Sequence, residues 1–464
     1  QLPKPILMDG YTLTSAEDVA ERDPRKWRFE GSQDGQHWDL LDEKNIPPFQ
    51  SRGQVQIFSL SPTVAYAHYR FIFAAAQDAA HFQVAEIQLG RSQAQQQYQR
   101  VLDLSTAVHT ASWQQNGITF SRETLSSAVD QAVITRLSAS RPAALSGVLR
   151  LEGSHAEKTD ANNGALRFGG KLSNGLRYAA QLGVQNRGGK VRVEGANLRY
   201  EGCDELLLVL TAATDYVMDE TKNWRGADPQ PVVDQQMRAA LAQPWTRLKE
   251  AHIADHQRYF SRVSLDLGAP ATGDTPTRLA AYGKGAEDPE LEALMFQYGR
   301  YLMISSSRPG CLPANLQGIW NDSNKPAWYA DYHTNINIQM NYWQAETANL
   351  ADCHTPLLDW VEACVPAARR ASQKAFGEKT KGWTMRTSVN PFGGNGWEWN
   401  LPSSAWLAQH FWEHYAFGLD RQFLRQRAWP LLSEVSSFWL SQLKTDNQGR
   451  LVAPKGWSPE HGPR

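Results

Sequence analysis

The chain has 464 residues, too many for one ordinary core, so two to four domains are expected. Its 47 basic and 48 acidic residues nearly cancel without any long basic run, which argues against a dedicated nucleic-acid or membrane-surface footprint. No stretch approaches the roughly eighteen consecutive apolar residues of a membrane-spanning helix.

Residues 1–91 read as a β-sandwich module. Short runs such as WRFEG (27–31), HWDLL (37–41), VQIFSL (55–60), YRFIF (69–73) and VAEIQL (84–89) are separated by turn-rich pieces. SQDGQ (32–36) places an Asp-Gly pair between two such runs, a hairpin signal. LTSAEDVAERDPRKWRFEGSQDGQHWDLLD, YRFIF and FQVAEIQL, in that order, resemble the discoidin (coagulation factor 5/8 C-type) jelly-roll module.

Residues 92–230 predict a second, larger β region. After the low-complexity SQAQQQYQR come ITFSRETLSS (118–127), QAVITRLSAS (131–140), LSGVLRLEG (145–153), LRYAAQLGV (176–184), KVRVEGANLRYEG (190–202) and ELLLVLTAATDY (205–216), each taken as one strand of a large sandwich. Near residue 231 the period changes to helical, with a break at Pro244 and a loop rich in Gly, Pro and Thr over 268–288. From 289 to 464 helices alternate with long Gly/Trp/Asn-rich loops (308–334, 382–403, 445–464), the pattern of a helical barrel with a site at one mouth. One helix puts Trp406, His410 and Glu413 on a shared face. No nucleotide-binding, zinc-hydrolase or serine-hydrolase motif is present.

The four cysteines lack CxxC spacing and are read as buried thiols. Cys353 and Cys364 lie about three helical turns apart, too far to pair along one unbroken helix. Twelve of the 17 tryptophans follow residue 319, which favours a carbohydrate ligand, because indole faces stack on sugar rings.

The stretch YHTNINIQMNYW (332–343) crowds Asn335, Asn337 and Asn341 with Gln339 and His333 between aromatic residues. A buried amide left unpaired costs about 1–3 kcal/mol. Such a cluster is either a network tying helices together or a pocket for a polyhydroxylated ligand and a water molecule.

RYLMISSSRPGCLPANLQGIWND (300–322), WYADYHTNINIQMNYWQAETANLADCHTPL (328–357), SAWLAQHFWEHYAFGLDRQFLR (404–425) and GWSPEHGP (456–463) together resemble glycoside hydrolase family 95, mostly α-L-fucosidases acting on terminal α-1,2-linked fucose. HQRYFSRVSLDLG (256–268) resembles the family's linker and LDLSTAVHTASWQQNGITFSRETLSS (102–127) its β-domain. The implied fold is a β-super-sandwich (92–230), a helical linker (231–288) and an (α/α)6 barrel (289–464), with the jelly-roll module inserted in the β-domain. The resemblance makes Asn335 and Asn337 the positioners of the attacking water and Glu460 the general acid. It gives His333, Trp412, Glu413 and Glu398 contacts to the sugar.

An inverting glycosidase uses a protonated acid on one face and a base-activated water on the other. Glu460 lies close to Trp457 and two prolines, a partly apolar setting that suits a carboxyl kept protonated near neutrality. Two departures from the family pattern stand out. GWTMRTSVNPFGGNGWEWN (382–400) replaces a His- and Asp-bearing segment that would border the leaving sugar. The aspartate expected as base falls beyond Arg464, so the sequence reads as a segment of a longer enzyme.

The implied activity is exo-acting, inverting release of L-fucose from glycans such as xyloglucan or fucosylated oligosaccharides. An α-L-galactosidase of the same family and a non-catalytic carbohydrate-binding protein are the competing readings. No metal or organic cofactor is expected. The expected partner is an oligosaccharide or polysaccharide, not nucleic acid, and the expected location is a bacterial periplasm or exterior.

Overall fold

The computed structural model describes residues 5, 8, 10–60, 64–74, 82–89, 96–162, 164–269 and 272–453. Gln1–Tyr98 with Trp113–Thr119 form one compact unit, and Gln99–Ser112 with Phe120–Arg464 form the other.

The first unit contains two three-stranded antiparallel sheets. Gly10–Thr14 lies between Val55–Ser59 and Glu86–Leu89, and Lys26–Ser32 lies between Asp39–Asn45 and His68–Phe73. Alternation along KWRF sends Trp27 and Phe29 inward and Lys26 and Arg28 outward. The inward residues join Tyr11, Leu13 and Phe58 in one core. Its polar atoms are satisfied in series: Trp27 Nε1 donates to Tyr11 Oη at 2.7 Å, and Tyr11 Oη donates to Asp42 Oδ2 at 2.8 Å. The Asp-Gly turn forms as the sequence predicts, with Gly35 at φ +74° and Asp34 Oδ1 accepting from the Gln36 and His37 amides.

The second unit opens with strands of an eight-stranded antiparallel sheet that has Asp160–Asn162 at one edge. Its strand Glu205–Thr214 is apolar on both faces. Leu206 and Leu208 pack beneath a three-stranded sheet (Leu145–Leu149, Asn197–Cys203, Lys190–Glu194), while Leu207 and Val209 pack on the opposite side with Ala240, Trp245 and Leu248. KVRVEGANLRYEG is not one strand but a hairpin, Lys190–Glu194 against Asn197–Cys203, because Gly195 turns the chain at φ +63°.

Among the described residues ten α-helical segments follow: α1 (Gln230–Leu241), α2 (Trp245–Phe260), α3 (Thr275–Tyr282), α4 (Pro289–Ser306), α5 (Asn337–Tyr342), α6 (Gln344–Thr347), α7 (Ala351–Phe376), α8 (Ser403–Gly418), α9 (Arg421–Phe423) and α10 (Trp429–Gln442). Pro244, at the N-cap of α2, marks the break between α1 and α2. The segment 268–288, read as a loop, contains α3, because Asp274 caps it and Pro276 starts it. Pro356 lies within α7, where it cannot donate to the Asp352 carbonyl; the Thr355 hydroxyl fills that role at 2.8 Å. Buried Arg300 of α4 donates to the carbonyls of Tyr259, Phe260 and Val263 at the end of α2, and to that of Ala348. Of these, α2 and α4 to α10 share a core around Leu357, Trp360, Val361, Trp383 and Phe411.

Two further expectations are corrected. Cys311 is exposed, since Pro309-Gly310 has already ended the helical path, whereas Cys203, Cys353 and Cys364 are buried. The stretch 382–403 is a β-hairpin, Met385–Val389 against Asn395–Asn400, rather than a loop. Asn390 closes its turn by accepting from the Phe392 and Gly394 amides.

Candidate active site

The amide-rich stretch follows a strained approach. Trp328, Tyr329 and Ala330 all lie in the left-handed region (φ +47°, +59° and +48°), which costs about 1–2 kcal/mol per non-glycine residue. Trp328 and Tyr329 project their rings into solvent at 70% and 90% exposure. Tyr332 and His333 then pair with Val389 and Ser388 of the hairpin. Thr334 is fully buried and tied to the same strand: its N–H donates to Thr387 O at 2.8 Å and its hydroxyl to Arg386 O at 2.9 Å. After one turn, α5 begins at Asn337.

The amides in this stretch divide into two kinds. Gln339 Nε2 donates to Thr334 O at 2.7 Å, and Asn400 Nδ2 donates to the same oxygen at 3.0 Å. Asn341 Nδ2 reaches the carbonyls of Ala314 (3.3 Å) and Asn315 (3.1 Å). Those amides fix backbone through their N–H groups, and Gln339 Oε1, like Asn335 Oδ1, is buried without a partner among the described residues. The side chains of Asn335 and Asn337, both half-buried, make no hydrogen bond to the described residues, and Asn335 Oδ1 is buried without a partner. An acceptor in that state is stabilised by a donor from outside the described chain, and water or a hydroxyl group supplies one.

His333, 6% exposed, stands beside them. Its Nδ1 lies 2.6 Å from Asp331 Oδ1, and Asp331 Oδ2 accepts from the Ser388 hydroxyl. The hairpin bulges where Thr387 faces Trp397 and Glu398, and Trp397 takes φ +64°. The bulge sets the Trp397 ring 5.6 Å from His333, tilted at 52°. Glu398, half-buried, sits in the same bulge, its carbonyl accepting from Thr387 Oγ1 at 3.2 Å. Thus His333, Asn335, Trp397 and Glu398 share one strand-and-hairpin frame.

Trp412 and Glu413 are exposed on α8, and the Trp412 ring lies 5.5 Å from that of Tyr415, tilted at 55°. No described contact ties either of them to the amide stretch. The shared face read for Trp406, His410 and Glu413 divides, because His410 is 2% exposed and turned inward whereas Glu413 meets solvent. Glu460 lies outside the described residues.

Behind the stretch lies a polar cluster that the sequence did not reveal. Glu346 Oε1 accepts from His354 Nδ1 (2.8 Å) and His414 Nδ1 (2.6 Å), while His354 Nε2 meets His410 Nδ1 at 3.0 Å. Among the described residues, Glu346, His354 and His414 are the group whose ligand atoms lie close enough to hold a metal, within 4.8 Å. With the ring hydrogens turned toward Oε1, the same atoms form a satisfied hydrogen-bond junction of α6, α7 and α8. Burial alone would raise the Glu346 carboxyl, but the two histidine donors bring it down to about 2. Burial pushes His410 down to about 3 and lowers His354, despite Glu346.

A histidine held neutral in the fold stabilises it less once the unfolded chain can take up the proton. Stability should therefore fall as pH drops below about 6.5, and fall further as pH approaches the lowered Glu346 value. Buried His252 and His256, also lowered by burial, act with the same sign. His410→Gln should flatten the slope of unfolding free energy between pH 6.5 and about 3 by up to one proton. Denaturant titrations across that range measure it, and an unchanged slope would exclude His410 as a source of acid lability.

Three comparisons bear on this frame. Residues 244–464 match the glycosyl hydrolase family 95 catalytic domain, and residues 61–219 the glycosyl hydrolase family 65 N-terminal domain. The chain is 33% identical over 411 residues to "Alpha-L-fucosidase 2" of Arabidopsis thaliana, covering 80% of this chain and 48% of that protein. It is 32% identical over 392 residues to "Probable alpha-fucosidase A" of Aspergillus niger, covering 79% and 49%. The chain thus spans about half the length of these curated relatives. Among solved structures, "Putative kojibiose phosphorylase from human microbiome" superposes with a TM-score of 0.52 at 10% identity, over 76% of this chain and 46% of the other. That likeness is one of fold: a β-rich N-terminal part followed by a helical part.

Proposed function

We propose that this chain, whose residues 244–464 belong to glycoside hydrolase family 95, forms part of an exo-acting, inverting α-L-fucosidase for terminal α-1,2-linked L-fucose. The observation that carries the reading is the division among the amides: Gln339, Asn341 and Asn400 each donate to a backbone carbonyl, while the side chains of Asn335 and Asn337 bond no described residue, Asn335 Oδ1 being buried. In this reading the eight-stranded sheet and its partner belong to a β-super-sandwich, and α4 to α10 to an (α/α)6 barrel.

The chemistry follows from residue type. The side chains of Asn335 and Asn337 hold one water between them, a single amide carbonyl accepting one of its hydrogens, and aim its oxygen at the anomeric carbon. A carboxylate base takes the water's other proton as the new C–O bond forms and the glycosidic bond breaks. Glu460 gives its proton to the departing oxygen. His333 holds the sugar by one ring nitrogen, with Trp397 lying against the imidazole. Trp412, Glu413 and Glu398 are assigned sugar contacts by the family resemblance.

The test is the rate of the whole protein on fucosyl-α-1,2-galactose against an α-L-galactoside of the same aglycone. L-Galactose differs from fucose by one 6-hydroxyl, so a preference of about tenfold or more for the fucoside is expected. A faster galactoside would move the assignment to an α-L-galactosidase, and binding without release of either sugar would leave a carbohydrate-binding protein.

A further inference from the structure

Asp331 is an expensive residue where it stands. It is 8% exposed, and a buried carboxylate costs several kcal/mol unless it is paired. It closes the left-handed run Trp328–Ala330, so backbone strain and buried charge meet at one point. Its backbone is pinned on both sides, by its own N–H to Trp328 O at 3.3 Å and by Leu316 N–H to its carbonyl at 3.2 Å. Both side-chain oxygens are engaged: Oδ1 with His333 Nδ1 at 2.6 Å, and Oδ2 with the Ser388 hydroxyl. Two features of the strand produce this. Asp331 and His333 are two apart, hence on one side of the extended chain, and Ser388 is the cross-strand partner of His333.

His333 Nε2 makes no hydrogen bond to the described residues. From this geometry we infer that Asp331 is a positioning residue: it keeps the ring hydrogen of His333 on Nδ1, so that Nε2 presents its lone pair to a sugar hydroxyl. A structural tie alone would not need a charge, because an asparagine could bond Ser388 and the ring at lower desolvation cost. The charge matters for the tautomer, since a carboxylate is acceptor only, whereas an amide offers Nδ1 a donor or an acceptor. Ser388 keeps the carboxylate from rotating away. The inference rests on the sugar-binding role proposed for His333.

The first test needs no substrate. In the whole protein labelled with 15N-histidine, two-bond proton–nitrogen correlations, assigned by loss of the signal in His333→Gln, should show the Nδ1–H form of His333. A native Nε2–H form overturns the inference even if the enzyme releases fucose. The second test is Asp331→Asn on whichever α-L-glycoside the native enzyme hydrolyses. KM should rise about tenfold to hundredfold, with kcat changing less, and the Kd of the free sugar should weaken by the same factor. Ser388→Ala should shift both in the same direction by less. A KM within twofold of native in a folded Asp331→Asn protein overturns the inference. If the native protein hydrolyses no such glycoside, the proposed function falls while the nitrogen spectrum still decides the role of Asp331.

Discussion

Replacing Glu460 by glutamine in the whole protein should slow hydrolysis of a fucosyl-galactose by about 10²–10⁴-fold, the range for loss of a positioned general acid. Glutamine keeps the size and most hydrogen-bonding capacity of the side chain but has no proton to give. The loss should depend on the leaving group. A sugar alkoxide departs poorly without a proton, whereas fluoride departs with little assistance, so α-L-fucosyl fluoride should lose much less rate. Equal losses on both substrates would mean that Glu460 acts through binding or folding. The residue lies outside the described part of the structure, so its assignment stands on the GWSPEHGP motif alone.

Asn335→Gly and Asn337→Gly should behave differently. Delivery of the water is needed whatever leaves, so both substrates should slow together, by about 10²-fold for each amide removed. Affinity for free fucose should change little. The same twelve residues contain the control. Asn341 bonds only backbone carbonyls, so Asn341→Ala should lower the melting temperature yet leave turnover near native at low temperature. If Asn337→Gly followed the Asn341→Ala pattern, the free amides would be structural too, and the water would need another host.

That contrast shows where sequence reading runs out. YHTNINIQMNYW displayed too many amides for an ordinary core, but composition could not separate clamps from ligands. The separation is made by residues far along the chain: Asn400 reaches Thr334 from 66 positions away. The hairpin behind His333 was hidden for a related reason. Its strand MRTSV is short and bulged, and its turn is so rich in Gly and Asn that the whole reads as loop. Asp331 left a faint trace, a carboxylate two residues before a histidine, which becomes meaningful only once the strand is known to be extended. Glu346 left none, because its partners His354 and His414 come from α7 and α8. The strand in ELLLVL, by contrast, needed no such help, being legible from residue type alone, although its burial on both faces came from the fold.

The most direct measurement follows the anomer first released. In deuterated buffer, the whole protein is mixed with fucosyl-α-1,2-galactose and proton NMR spectra are taken before mutarotation equilibrates the product. Water held by Asn335 and Asn337 opposite the departing oxygen predicts β-L-fucose at the earliest times, with the α-anomer growing in at the spontaneous rate. Initial release of α-L-fucose, or no fucose from a folded and complete protein, would contradict the account.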